Sequence, residues 1–419
     1  MTETDLHSTT ECTSTTDSAA ERSVWVRALY KVGLVYLFSR ACVVVGAGIV
    51  AAELRADQNK IDSDLPTAVF ADPQYIDKVI PRHALRPMVD VLTSWDGLWY
   101  LRIVRDGYPR FVQPDITYDV PDARAAFFPT YPTLVKAVDF VLPGNETLAA
   151  LLINFVLGAL AVLLTGLIAR RLYDTAVATK AMILMAMFPG SFVLSFAYTE
   201  ALLLALAAGC MWFLLNRQWL AAGILAAFGT ATRPNGIALV AACAIASYVA
   251  IRRRGEWRSI VAPVLAPVGF VGFQLWLGQH TGEAGVWFRV QTEAWGEGTS
   301  FGLTAIRRTA RAFYNPLSSP TDMITAMSLV VTVLLCWFAW KRRLPMFMTA
   351  YCAVVIALML LPSTVTARPR FLYTAFPLLI AAAAWLHDSK RDWWPYLIGA
   401  CSAGLVGLTA LYGVFGAIP

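Results

Sequence analysis

The segment SWDGLWYLRIVRDGYPRF (94–111) holds the group best suited to chemistry in this chain, the carboxylate of Asp96. Trp95, Leu98, Trp99 and Ile103 recur at helical spacing and make an apolar stripe, while Arg102, Arg105 and Asp106 fall on other faces. A short helix so rich in Trp and Tyr is expected to lie in a membrane–water interface rather than to cross it. Asp96 then stands at the N-terminal end of that helix, where a carboxylate could take the proton of an incoming hydroxyl as a general base. Ser94 or Asp96 could equally cap the helix. Spacing leaves both roles open, and capping is the commoner use of such a residue.

Four further clusters sit at the ends of apolar runs: FFPTYP (127–132), AYTEALL (197–203), TRPNG (232–236) and ARPRFLYTAFP (367–377). FFPTYP also fits an interfacial aromatic belt with proline turns. Glu200, near the start of a span, is costly to bury, so it is either functional or high enough to be hydrated. Arg40, midway along the first apolar run, is expected to pair with an acid or to snorkel. Arg233, Arg289, Arg307, Arg308, Arg311, Arg368 and Arg370 lie where no topology signal requires them. An arginine beside a membrane surface can hold a phosphate in a two-pronged grip, or it can meet lipid headgroups or loop carboxylates. Arg368-Pro369-Arg370, at the mouth of a span, is the best placed for phosphate.

The elements that must position these groups are membrane helices. Of 419 residues 58% are hydrophobic and 15% charged, against about 25% charged in soluble domains, and the mean hydropathy is +0.57. Apolar runs at 29–52, 147–170, 176–195, 198–215, 218–232, 236–251, 259–278, 322–340, 344–362, 371–386 and 393–415 predict about eleven transmembrane helices in an all-α polytopic fold. Residues 1–27 read as a disordered cytoplasmic tail and 28–419 as one transmembrane domain, with the first apolar run an uncleaved signal anchor. Two polar interruptions, 53–146 and 279–321, are long enough to be functional loops. The net charge of +6 is concentrated in short clusters such as RRLY (170–173), RRR (252–254) and KRR (341–343). With the N-terminus inside, all of these fall on the cytoplasmic side and both long loops on the external side. Nucleic-acid binding is therefore excluded. Most of the seven cysteines lie inside apolar runs, and no Cys/His spacing suggests a metal; His83 and His280 are isolated.

WDGLWY with the following GYP, then FFPTYP, AYTE, RPNG and PRFL, resemble in this order the second mannosyltransferase of glycosylphosphatidylinositol synthesis and its bacterial relatives. That family belongs to the GT-C membrane glycosyltransferases. The resemblance runs from Arg40 to about Pro377, and the short, Ala-rich chain looks like an actinobacterial member. Pro234 stands where eukaryotic members carry Ser, and the loop 53–93 has no recognised counterpart. The resemblance implies a GT-C fold whose large first external loop carries interfacial helices and the catalytic acid, here Asp96. It implies a sugar, mannose, taken from a polyprenyl-phosphate donor and passed with inversion to a glycolipid or cell-envelope glycan at the plasma membrane. Arg368 and Arg370, then Arg233, would hold the donor phosphate. Trp95, Trp99, Tyr131, Tyr198, Glu200 and Asn235 would contact substrate. No cofactor is implied, although a divalent metal is compatible. The chain lacks any nucleotide-binding fingerprint, as a lipid-linked donor allows. A transporter or flippase for a lipid-linked or polar substrate is the competing reading, but no internal repeat supports it. An inactive scaffold, and within the enzyme class a pentose donor, are lesser rivals.

Overall fold

The computed structural model describes residues 4–62, 85–317, 319–363 and 369–414. Among these the chain is helical, and β pairing is confined to an isolated bridge between Thr299 and Pro362. Helix α1 (Thr4–Asp62) overruns the first apolar run at both ends. It takes in the tail expected to be irregular and the first turns of the expected loop, with no proline to stop it. The rest of the first loop carries α2 (Leu85–Leu92), α3 (Asp96–Asp106), a 3-10 turn (Pro121–Ala126) and α4 (Thr130–Val141).

The bundle continues with α5 (Glu146–Leu172), whose N-terminus is capped by the Asn145 side chain accepting from the Leu148 amide at 2.9 Å. Glu146 in its first turn and Arg170 and Arg171 in its last suit the helix dipole. Next come α6 (Thr175–Met187), capped by Asp174, then α7 (Glu200–Leu215), α8 (Trp219–Thr230) and α9 (Ala238–Arg254). The short α10 (Val261–Leu265) leads into α11 (Val268–Thr281). The second loop folds as α12 (Val286–Trp295) and α13 (Leu303–Tyr314). The chain finishes with α14 (Pro320–Arg342), α15 (Met346–Leu360), the six-residue α16 (Pro369–Thr374), α17 (Pro377–Asp388) and α18 (Trp394–Gly413).

Each of the eleven apolar runs contains helix, but they are not equal. Six helical stretches are long and apolar enough to cross a bilayer: Glu21–Leu54, Glu146–Leu172, Pro234–Arg254, Trp257–Thr281, Pro320–Arg342 and Trp394–Gly413. Others are interrupted. At about 1.5 Å per residue, the 13 residues of α6 fall well short of a hydrocarbon core of about 30 Å. A 3-10 turn (Pro189–Leu194) completes that run, while α16 and α17 divide another at Pro377. Such backbone breaks are tolerated at membrane depth only when protein surrounds them. Accordingly α6, α7 and α17 form the apolar centre, with Ala178, Ala181, Leu203, Leu204, Ile380 and Ala381 essentially inaccessible. The outer helices leave large apolar side chains such as Leu148, Leu275 and Val333 exposed, as lipid-facing surfaces require.

Arg40 neither pairs with an acid nor snorkels. It is buried against the break after α6, and all its guanidinium nitrogens donate: to the carbonyl of Ser191 at 2.7 Å, that of Ala186 at 3.2 Å, and the hydroxyls of Ser191 (2.9 Å), Ser195 (3.0 Å) and Ser39 (3.2 Å). The unsatisfied carbonyls of the broken helix end take the place of a carboxylate.

The short-loop cations gather at one end of the bundle. Arg170 meets Glu21 at 2.6 Å and lies over Trp25, Arg342 meets Asp388 at 2.6 Å, and Lys180 lies over Trp394. The two long loops pack on each other at the other end. Arg289 joins Glu283 (2.7 Å) and Glu293 (2.8 Å) and donates to the carbonyls of Val112 and Gln113, while the Trp287 indole donates to the Ala126 carbonyl at 2.9 Å. Arg289 is thus a loop clamp held by two carboxylates, and its hydrogen bonds hold one of them, the Glu283 carboxyl, below the usual range.

Candidate active site

Four charged side chains from four separate segments meet where the first loop rests on the bundle. Arg370, on α16, contacts Asp96 at 2.6 Å and Glu200 at 3.6 Å; Arg233, just before the 3-10 turn Pro234–Ile237, forms a close ion pair with Glu200 and reaches the Thr199 hydroxyl at 3.4 Å. The order Asp96–Arg370–Glu200–Arg233 therefore alternates in sign. Both arginines and Glu200 are buried, whereas the Asp96 side chain keeps 26% of its surface exposed. Arg370 lies over the rings of Tyr198 and Phe371, and Arg233 over Phe371, so the cations rest on aromatic faces as well as on carboxylates.

A cavity of about 480 Å³ opens above this row. Asp96, Arg233, Asn235 and Arg370 line it, together with Tyr100, Phe127, Phe128 and Phe371. Its far wall comes from α12 and the segment after it, through Trp287, Gln291, Trp295 and Glu297. Among the described residues, several buried donors in or under the cavity have no hydrogen-bond partner: Asn235 Nδ2, Tyr198 Oη, Arg233 Nε and Arg370 Nε. Buried donors left open in this way make a site prepared for an acceptor-rich ligand. Burial, and secondarily the Asp96 charge, push the Tyr100 phenol above its ordinary range, so it remains a neutral donor at the cavity edge.

Local structure explains how these groups are held. Asp96 is the first residue of α3, and Trp95 occupies the cap position with no side-chain capping bond, while the Ser94 hydroxyl donates back to the Val91 carbonyl at 2.7 Å. Trp95 has φ 57° and ψ −120°, a strained conformation for a side chain of this size. Its indole donates to the Tyr412 carbonyl of α18 at 3.0 Å, which ties the strained residue down beside the acid. Gly107, the glycine of GYP, closes α3 at φ 69° and ψ −166°, a region open essentially to glycine alone. That turn sends the Tyr108 hydroxyl to the Phe127 carbonyl at 2.7 Å. In RPNG, a Cβ on Gly236 would sit 2.1 Å from the Gly229 carbonyl oxygen. Only glycine lets the turn carrying Arg233 and Asn235 lie so close to α8.

The structure brings most of the expected site residues together, and moves others. Asp96, Arg233, Asn235 and Arg370 line the cavity; Glu200 and Tyr198 lie directly beneath. Trp95, Trp99 and Tyr131, expected to touch substrate, stand behind the wall instead. Trp95 faces α18; Trp99 stacks on Phe127 with ring centres 5.8 Å apart; Tyr131 is inaccessible and bonds the Ala150 carbonyl at 3.3 Å. Arg368 lies outside the described residues. Arg308 and Arg311 approach Asp322 at 3.6 and 3.3 Å, away from the cavity. The α12 residues were missed, although Trp287, Gln291 and Trp295 follow the i, i+4, i+8 pattern of one helix face. Among the described residues no group of three or more His, Cys, Asp or Glu side chains is arranged to hold a metal.

Residues 129–277 match the family model described as dolichyl-phosphate-mannose-protein mannosyltransferase. No curated protein sequence matches the chain. Among solved structures it is similar to ArnT from Cupriavidus metallidurans bound to undecaprenyl phosphate, with 16% identity and a TM-score of 0.48 over 72% of this chain and 56% of that one. It is similar also to the Archaeoglobus fulgidus oligosaccharyltransferase in complex with zinc and sulfate, with 15% identity and a TM-score of 0.44 over 76% and 48% of the two chains. A third is AglB of the same organism with an inhibitory peptide and a dolichol-phosphate, at 13% identity and a TM-score of 0.39 over 90% and 55%. The chain spans about half the length of the structures it resembles.

Proposed function

We propose that this chain is a GT-C-type membrane glycosyltransferase that moves a sugar, mannose by preference, from a polyprenyl-phosphate donor to a glycolipid or envelope glycan. The observation that carries the reading is the row Asp96–Arg370–Glu200–Arg233, in which Asp96 and both arginines line a single cavity and Glu200 joins the arginines from behind. One carboxylate in it is partly open and two buried guanidinium groups stand beside it. The family matched over 129–277 is named for a dolichyl-phosphate-mannose donor, which fits this chemistry.

In this mechanism the donor phosphate binds Arg370 and Arg233, with Arg368 an expected third arm. Phosphate competes with Asp96 for Arg370, so donor binding frees the carboxylate as it fills the site. Asp96 takes the proton of the acceptor hydroxyl, whose oxygen attacks the anomeric carbon as the bond from that carbon to the phosphate oxygen breaks. The electron pair leaves on the lipid phosphate, where the two guanidinium groups balance the added charge. A single displacement inverts the anomeric centre. Asn235 and Tyr198 supply open donors to sugar or phosphate oxygens.

The test uses purified protein in nanodiscs, given radiolabelled polyprenyl-phosphate mannose or GDP-mannose separately, with envelope lipids as acceptor. Transfer is expected from the lipid donor, and Asp96→Asn, which keeps size and leaves the fold intact, should abolish it. Substantial turnover by a well-folded Asp96→Asn protein would remove Asp96 as the base. Transfer from GDP-mannose with the lipid donor inert would overturn the donor.

A further inference from the structure

Helix α13 runs between the end of α15 and the start of α14 without crossing the bundle. Just before it, the Ser300 amide donates to the Leu361 carbonyl at 2.8 Å, at the end of α15. Near its other end Arg311 reaches Asp322 in the first turn of α14 at 3.3 Å. Both termini therefore sit at the cavity end of the bundle, and a helix of 12 residues, about 18 Å long, must lie across that end.

Its faces are sharply divided. Ala305 and Ala312 are buried against the protein. Ile306 (62% exposed), Phe313 (75%) and Tyr314 (75%) share an exposed stripe with Leu303. Arg307, Arg308 and Arg311 run along one flank of that stripe; Arg308 and Arg311 share the carboxylate of Asp322, and Arg307 is exposed. A large apolar stripe on a helix outside the spans, edged by guanidinium groups, is the pattern of a helix lying in the headgroup layer.

We propose that α13 is an in-plane helix seated in an anionic phospholipid surface, its stripe among the upper acyl chains and Arg307 and Arg311 on lipid phosphates. Charge complementarity selects this occupant over a second protein. Arg307 is exposed, and Arg311 keeps 53% of its side-chain surface open while it pairs with Asp322. The position also sets the helix next to the cavity rim. Residues 298–300, which run into α13, are bonded to 361–363: Ser363 donates its amide to the Gly298 carbonyl at 2.8 Å, and the Ser300 hydroxyl donates to the Pro362 carbonyl at 3.1 Å. Gly298, Thr299, Leu361 and Pro362 all line the cavity.

The test does not depend on transfer activity. Single spin labels at Ile306, Ala310 and Phe313, and at Thr304 as a control, are placed in the full-length protein in nanodiscs of phosphatidylcholine with or without phosphatidylglycerol. Expected are high access to oxygen and low access to a water-soluble nickel chelate at 306, 310 and 313, with the contrast sharper when phosphatidylglycerol is present. Arg307→Gln should reduce retention of phosphatidylglycerol over phosphatidylcholine by about fivefold, as removal of one surface cation predicts, and leave the fold unchanged. Free access of the chelate at all four positions in both lipids would overturn the proposal. So would concentration-dependent broadening between labels, which would make a second copy the occupant, or unchanged lipid retention in Arg307→Gln.

Discussion

Glu200 and Arg233 show what a buried pair does and does not contribute. Both are almost inaccessible, and each is the other's closest charge partner, with Arg370 3.6 Å away on the far side of Glu200. Removing one member leaves a desolvated charge, whereas removing both restores an apolar contact. Glu200→Leu alone is therefore expected to destabilise the protein by about 3–5 kcal/mol, read as a fall in thermal midpoint in detergent. Adding Arg233→Met should recover most of that loss and leave transfer abolished. A double variant no more stable than the single would show that the pair holds the fold rather than the ligand. Much of this chemistry was legible in the sequence, because charged residues beside apolar runs are costly and need a reason. Glu200 was visible on that ground, Arg370 and Arg233 as arginines that no topology signal requires, and Asp96 from its place at the end of an interfacial helix. Trp99 and Tyr131 were not separable from true wall residues, since an aromatic ring that lines a cavity and one that supports it look alike in sequence.

At the scale of elements, the 3-10 turn after Arg233 is the part most sensitive to a small change. Gly236→Ala would force the turn away from α8, costing about 1–3 kcal/mol as overpacking does, and would move Asn235 and Arg233 with it. Transfer should fall by more than the stability loss explains, and a crystallographic or spectroscopic view of an unmoved turn in an impaired protein would contradict this. The loop clamp behaves differently. Its Glu283 carboxyl is held below its ordinary value of 4.5 by Arg289, so the clamp is intact above that value and weakens as pH falls through the depressed one. Limited proteolysis of 279–321 should be unchanged from neutral to mildly acidic pH and should accelerate only in stronger acid. Acceleration already near neutrality would point to a different clamp. Helix α3 was readable from its periodicity, but α12 as a cavity wall was not. Its packing depends on contacts with residues 112–126, far away in the chain, which local pattern cannot report.

For the whole molecule, the basic short-loop residues at one end and the cavity at the other agree with one orientation in the bilayer. Alkaline phosphatase fused after Pro419 is expected to be active, which places the C-terminus and the two long loops outside. Activity only from a cytoplasmic reporter at that position would change the number of crossings by an odd number. Hydropathy marked eleven apolar runs, of which six hold a helical stretch long and apolar enough to cross a bilayer, and it could not tell which runs were continuous. Whether a run is one helix or two halves depends on neighbours that satisfy the broken backbone, as Arg40 does for the end of α6.

That same arginine sets an order for biogenesis. The carbonyl of Ser191 that accepts from Arg40 lies 151 residues further along the chain. While the first span is being delivered to the membrane, its midpoint carries a guanidinium whose partners have not been synthesised, a burden of about 2.5–3.5 kcal/mol on insertion. The apolar residues around it can carry that burden into the bilayer, but the guanidinium finds its partners only when the turn at 189–194 arrives, so this helix is completed by a segment made long after it.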